Sequence, residues 1–148
     1  MAKSSGKPIP EESKVAKPYW DAARRGELQI QRCASCGLHR HYPQLVCPQC
    51  HSLEVAWVRA GGNGHLHSWT IAHHAFHPAF ADEVPYVLAT VELEEGPRVL
   101  CRLEGIEAEA LRPGLPLAGS FRSDAAGRPV LTFGPACAPA RASGERRE

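Results

Sequence analysis

Residues 33–50 read CASCGLHRHYPQLVCPQC, and this stretch decides how the chain is organised. Cys33-x2-Cys36, ten intervening residues and Cys47-x2-Cys50 supply four thiols in two knuckles. Zinc accepts four thiolates in a tetrahedron at Zn–S distances of about 2.3 Å, and paired CxxC motifs are a usual way of presenting them. Ten residues are enough for a strand to go out and return. Gly37, after the first pair, permits the left-handed backbone through which amides reach sulfur, and Pro48 stiffens the second knuckle. His51 stands where a second glycine is expected. Four protein ligands leave no coordination position for water, so the expected cofactor is one structural Zn(2+) on Cys33, Cys36, Cys47 and Cys50. The same ligands would also hold iron. His39, His41 and His51 lie around the motif but are expected outside a shell that the cysteines already complete.

Outward from the cysteines, Leu28-Gln29-Ile30-Gln31 and then Leu53, Val55 and Trp57 alternate apolar with polar residues, as half-buried strands do. Upstream, PYWDAARRGEL from Pro18 predicts a short helix closed by Gly26. Tyr19 and Trp20 are adjacent, so both cannot face one small core. Residues 18–60 are therefore expected to form a helix plus a zinc ribbon. Residues 61–64, Gly-Gly-Asn-Gly, are expected to be a flexible joint. Beyond them HLHSWTIAH, YVLATVEL, RVLCRLEG, LPLAGSFR and PVLTF read as five strands, with a short helical segment at 107–111 between the third and fourth. The expected fold class is mainly β, a helix and ribbon followed by a five-stranded OB-fold barrel over 61–136. Residues 1–17 mix Lys, Ser, Pro and Glu in an arm expected to be disordered or ordered by a partner, and 137–148 in a disordered tail.

With 148 residues and 43% hydrophobic content, the chain supports one modest core and a small appended module. No run of about 18 apolar residues occurs and no apolar stretch follows the first charges, so neither membrane span nor export signal is expected and the localisation reads as cytoplasmic. A reducing compartment favours metal over disulfides for the cysteines. Residues 1–60 carry nine Lys and Arg against five Asp and Glu, while 61–136 carry five against nine. A nucleic-acid-binding ribbon and OB protein is the alternative function. The acidic barrel weighs against it, since Arg98, Arg102, Arg122 and Arg128 are few for a strand-binding face.

A second cluster, His73-His74-Ala75-Phe76-His77-Pro78-Ala79-Phe80, occupies a loop too long for a plain hairpin. Aromatic side chains on a loop supply contact area at low entropic cost, so His73, His74, Phe76, His77 and Phe80 are candidate ligand or partner contacts, with Trp20 and Trp69 beside them. A second metal on His73 and His77, or a dyad of His74 with Asp82 or Glu83, are the competing readings. Cys101 lies in an apolar strand and reads as a small buried hydrophobe, and Cys137 lies near the end. No catalytic set is recognised.

The order PYWDAARRGELQIQRC-x2-CG, P-x3-CPQC, WV-x2-GGNGHLHSWT, PYVLATVELEEG-x-RVLCRL, LRPGLPL and a late F-x-P closely resembles acyl-CoA-associated proteins in which a rubredoxin-like zinc ribbon precedes an OB-fold. The resemblance covers residues 18–135. It implies a noncatalytic accessory subunit of a thiolase-like, retro-aldolase or hydratase enzyme, in a hetero-oligomer with a CoA thioester at or near the shared interface. Catalytic residues would then belong to the partner.

Overall fold

The computed structural model describes residues 6–8 and 11–136. The expected tail with Cys137, and residues 1–5, 9 and 10 of the arm, lie outside the described residues. Helix α1 (Lys17–Arg24) has proline in its first turn and buries Ala22 and Ala23, the small residues that let it approach the ribbon closely. The ribbon is a three-stranded antiparallel sheet in the order β2-β1-β3, built from β1 (Gln29–Cys33), β2 (His39–Arg40) and β3 (Val55–Arg59). Its register sets Cys33 opposite Val55 and Gln31 opposite both Trp57 and Arg40.

Five strands close the barrel in the order β4-β5-β6-β8-β7: β4 (Asn63–Ala72), β5 (Tyr86–Leu93), β6 (Arg98–Leu103), β7 (Pro116–Ser123) and β8 (Pro129–Pro135). Alternation places Val91, Leu93, Val99, Cys101 and Leu103 inward and their neighbours outward. The short 3-10 turn Ala108–Ala110 interrupts the chain between β6 and β7, where a helical segment is expected. A second 3-10 turn, Pro78–Glu83, lies in the histidine-rich loop. Among the described residues no helix is long and apolar enough to cross a membrane.

Ribbon and barrel share one core. Leu28, Ile30 and Ala60 belong to the same buried cluster as Leu66, Val91, Leu117 and Phe133. Residues 61–64 are accordingly not a loose joint. Gly64 pairs with Leu93 on one side and Leu117 on the other, and a Cβ there would lie 2.5 Å from the Glu92 carbonyl oxygen. Glycine is required at that position by close packing between strands rather than by mobility. Gly62 accepts a 2.7 Å hydrogen bond from the Gly119 amide, and the Gly61 amide donates to Glu95 Oε1 at 2.6 Å.

The closing seam between β6 and β8 is parallel and short. Only Arg102↔Thr132 and Leu103↔Phe133 pair there, so residues 98–101 of β6 have no strand on that side. The ribbon fills part of the gap: Tyr42 places its phenol oxygen 3.1 Å from the Leu100 amide, which donates to it, and 3.4 Å from the Leu100 carbonyl.

Candidate metal centre

Two knuckles of the same construction meet at the ribbon end. In the first, the Gly37 amide donates to the Cys33 carbonyl and the Cys33 amide to that of Leu38, each at 2.9 Å. In the second, His51 donates to Cys47 and Cys47 to Ser52, again at 2.9 Å. Gly37 takes φ 79° and His51 φ 59°, so the residue after each CxxC is left-handed and His51 does the glycine's work with a side chain in place. Ser35 Oγ donates to Ser52 Oγ at 2.8 Å and ties one knuckle to the other. Below them Gln31 is buried and its Oε1 accepts from Arg40 Nε at 2.7 Å and from the Gln44 amide at 2.9 Å. That pair of bonds fixes the path of the connection between the knuckles.

The Sγ atoms of Cys33, Cys36, Cys47 and Cys50 lie within 4.8 Å of one another. Cys33 to Cys50 and Cys36 to Cys47 are each 3.6 Å between sulfurs, close to the edge of about 3.8 Å that a tetrahedron of 2.3 Å Zn–S bonds requires. Cys33 and Cys47 are buried and Cys36 and Cys50 exposed, so the metal position sits at the protein surface with its inner half enclosed. Amides of Cys36 and Ser35 hold the Cys33 thiol down at about 6. Those of Cys50 and Gln49 likewise lower Cys47. Cys50 goes up to about 12, because the Ser52 amide that lowers it is outweighed by desolvation and by the sulfurs of Cys36, Cys33 and Cys47. Four sulfurs so close do not all ionise unaided, and a dication among them makes four thiolates compatible. The donor set and spacing therefore fit one zinc ion. The three nearby histidines stand apart from this group of ligand atoms.

The remaining residues singled out by sequence fall in three places. Trp20 and Phe80 line one groove beside the β6–β8 seam. Trp69 is half-buried on β4 and packs against the core. His73, His74 and Phe76 are exposed on the loop, Phe76 to 87%, with His74 edge-on to Phe76 at 5.0 Å between ring centroids. His77 has a local task, accepting from the Ala79 amide at 3.2 Å as cap of the 3-10 turn. Residues not singled out by sequence include Tyr42, Tyr86 and Leu100, which line the same groove as Trp20, as does His41, expected only outside the metal shell.

A ribbon with four clustered thiols, sharing a core with a five-stranded barrel, defines a zinc-ribbon OB-fold protein. The family model described as "ChsH2, rubredoxin-like zinc ribbon domain" matches residues 20–56, and "ChsH2, C-terminal OB-fold domain" matches residues 57–122. A solved structure titled "Ltp2-ChsH2(DUF35) aldolase" superposes with a TM-score of 0.79 at 37% identity, covering 87% of this chain and 100% of that one. The chain belongs to the ChsH2-type zinc-ribbon and OB-fold proteins of the DUF35 family. A "Probable enoyl-CoA hydratase alpha subunit" of Thermomonospora curvata is 44% identical over 99 residues, 67% of this chain and 30% of that protein. A "DUF35 domain-containing scaffold protein" of Methanocaldococcus jannaschii is 29% identical over 92 residues, 62% of this chain and 64% of that protein. The chain thus spans about a third of the hydratase alpha subunit that it matches.

Proposed function

We propose that this protein is a noncatalytic, zinc-stabilised accessory subunit of an enzyme acting on acyl-CoA, of the hydratase, retro-aldolase or thiolase type. The observation that carries this reading is the match to the full length of the chain in the aldolase structure whose title pairs Ltp2 with ChsH2. The scaffold and hydratase-subunit names of the other relatives support it. The chemistry of the metal site agrees, since four thiolates leave zinc no open position at which to activate water or a carbonyl. In this reading α1 and the 73–85 loop bury surface against the catalytic subunit, with the barrel near the entrance for the CoA thioester. Phe76 supports that placement, because an apolar ring 87% exposed on a loop is the kind of side chain that anchors an interface.

The test is co-expression with a candidate acyl-CoA enzyme, followed by pull-down and by assay of each protein alone and together. Trp20→Ala or Phe76→Ala should weaken assembly by about 1–3 kcal/mol, with zinc content unchanged. Turnover of a CoA thioester by this chain alone, or full activity and solubility of the enzyme without it, would refute the accessory role.

A further inference from the structure

The ribbon buries a positive charge for which its own side chains supply no negative one. Arg40, on β2, is only 6% exposed. Its Nε donates to Gln31 Oε1 at 2.7 Å and its Nη2 to the Gln44 carbonyl at 3.2 Å, both neutral acceptors, while Nη1 is buried without a partner. Among the described residues no carboxylate lies within ion-pair distance of Arg40 and no aromatic face lies beneath it. The other Asp, Glu, Lys or Arg side chains between residues 28 and 58 are Arg32 and Glu54, both exposed. A charge taken out of water without a counter-charge is among the most expensive groups to bury, so the position of this guanidinium asks what it faces.

Its neighbours are the metal ligands. Gln31 stands opposite Arg40, and the Cys33 amide donates to the Leu38 carbonyl, which sets Cys33 opposite Leu38. Cys33 and Arg40 are therefore diagonal neighbours on one face of the β1–β2 ladder, about 7–8 Å apart along the backbone. At its other end the guanidinium holds the carbonyl of Gln44, three residues before Cys47. Arg40 thus spans the approaches to both knuckles. Four thiolates around a divalent ion leave a dianion, and around a trivalent ion a monoanion. A fixed cation stabilises the dianion more, and its burial protects that preference from screening by salt. At roughly 10 Å and an effective dielectric of about 20, one unit of charge difference amounts to about a ten-fold factor.

We propose that Arg40 is the counter-charge of the four-cysteine centre and a specificity-determining residue for it, biasing a shell that also accepts iron toward the divalent ion. The inference concerns the metal centre alone and does not rest on the accessory-subunit reading. Iron tests it, because one metal in one shell takes both charge states: the full-length chain is loaded with iron in place of zinc and its ferric/ferrous potential measured by voltammetry. Arg40→Gln should lower the potential by about 59 mV, a ten-fold loss of preference for the divalent state. Arg40→Lys keeps the charge but not the planar fork, and should stay within about two-fold of the parent, where a residue that merely braced the loop would make both variants behave alike. Gln31→Glu retains an acceptor for Arg40 and for the Gln44 amide while cancelling the guanidinium's charge. It should lower the potential as Arg40→Gln does, and it carries the test if Arg40→Gln does not fold. Zinc content and far-ultraviolet circular dichroism report the folding of each variant. A potential shifted by less than about two-fold in folded Arg40→Gln or Gln31→Glu protein, or an Arg40→Lys potential as low as that of Arg40→Gln, would overturn the proposal.

Discussion

His51 offers a direct measure of how backbone geometry tunes the metal site. It occupies φ 59° in the second knuckle where Gly37 occupies φ 79° in the first, and its side chain is exposed. An L-residue in this region costs about 1–2 kcal/mol relative to the right-handed one. Glycine removes that cost but loses about 0.5–1 kcal/mol more backbone entropy on folding. His51→Gly should therefore stabilise the knuckle by about 0.5–1 kcal/mol, and Gly37→Ala should destabilise the first by about the same amount. A Cβ on Gly37 would meet only Arg32 Nη2, at 3.6 Å, so strain and not collision decides the second figure. Since metal binding and ribbon folding are linked, these energies appear as zinc affinity: about a two- to five-fold gain for His51→Gly and about a two- to five-fold loss for Gly37→Ala. Competition with a chromophoric chelator at fixed pH reads both. A loss of affinity in His51→Gly, with the protein still folded, would refute the backbone argument and show that the imidazole itself supports the site.

Purified protein should carry one zinc per chain, and Cys36→Ser or Cys47→Ser should lose both metal and ribbon structure while the barrel's own strands keep part of their hydrogen-exchange protection; a metal-free protein of full stability would contradict the assignment. Cys101 should shape the alkaline limb of stability. Burial pushes its thiol from 9.0 up to about 12, so the unfolded chain ionises first. Its contribution is complete below pH 9 and falls away as pH rises toward 12, reaching a loss of about 3 kcal/mol by pH 11. Denaturant titration of Cys101→Ala against the parent should show a shallower decline over that interval, and parallel curves would count against it.

How much of this was legible in the sequence depended on whether the information was local. The knuckles were readable because tetrahedral coordination demands one residue type at fixed short spacing. The barrel strands were readable because burial on one face imposes a period of two, as in Val99, Cys101 and Leu103. Gly64 was misread for a physical reason: Gly-Gly-Asn-Gly permits mobility, and only the Glu92 carbonyl packed against it reveals a tight contact. The groove was not legible at all, since Trp20, Tyr42, Tyr86 and Leu100 come from four separate elements and no spacing links them. Tyr42 reaches Leu100 across 58 residues of sequence.

That long-range bond also connects the metal to the barrel. An OB barrel with a short closing seam leaves a strand edge with free backbone groups, and such an edge invites pairing with another chain. Here the phenol of Tyr42 satisfies both the amide and the carbonyl of Leu100, and the loop that carries it is held by Gln31 and Arg40 beneath the zinc knuckles. The ribbon also supplies Leu28 and Ile30 to the common core. Losing the metal would thus do more than unfold a small appendage. It would uncover two core side chains and release Tyr42, exposing the β6 edge next to Leu100 and Val130, which are already open to water. The demetallated chain should for that reason self-associate through β6, and light scattering on chelator-treated protein should rise in the parent more than in a variant with Leu100→Lys, whose charge blunts the edge. In this architecture zinc protects the barrel through the ribbon's grip on one strand.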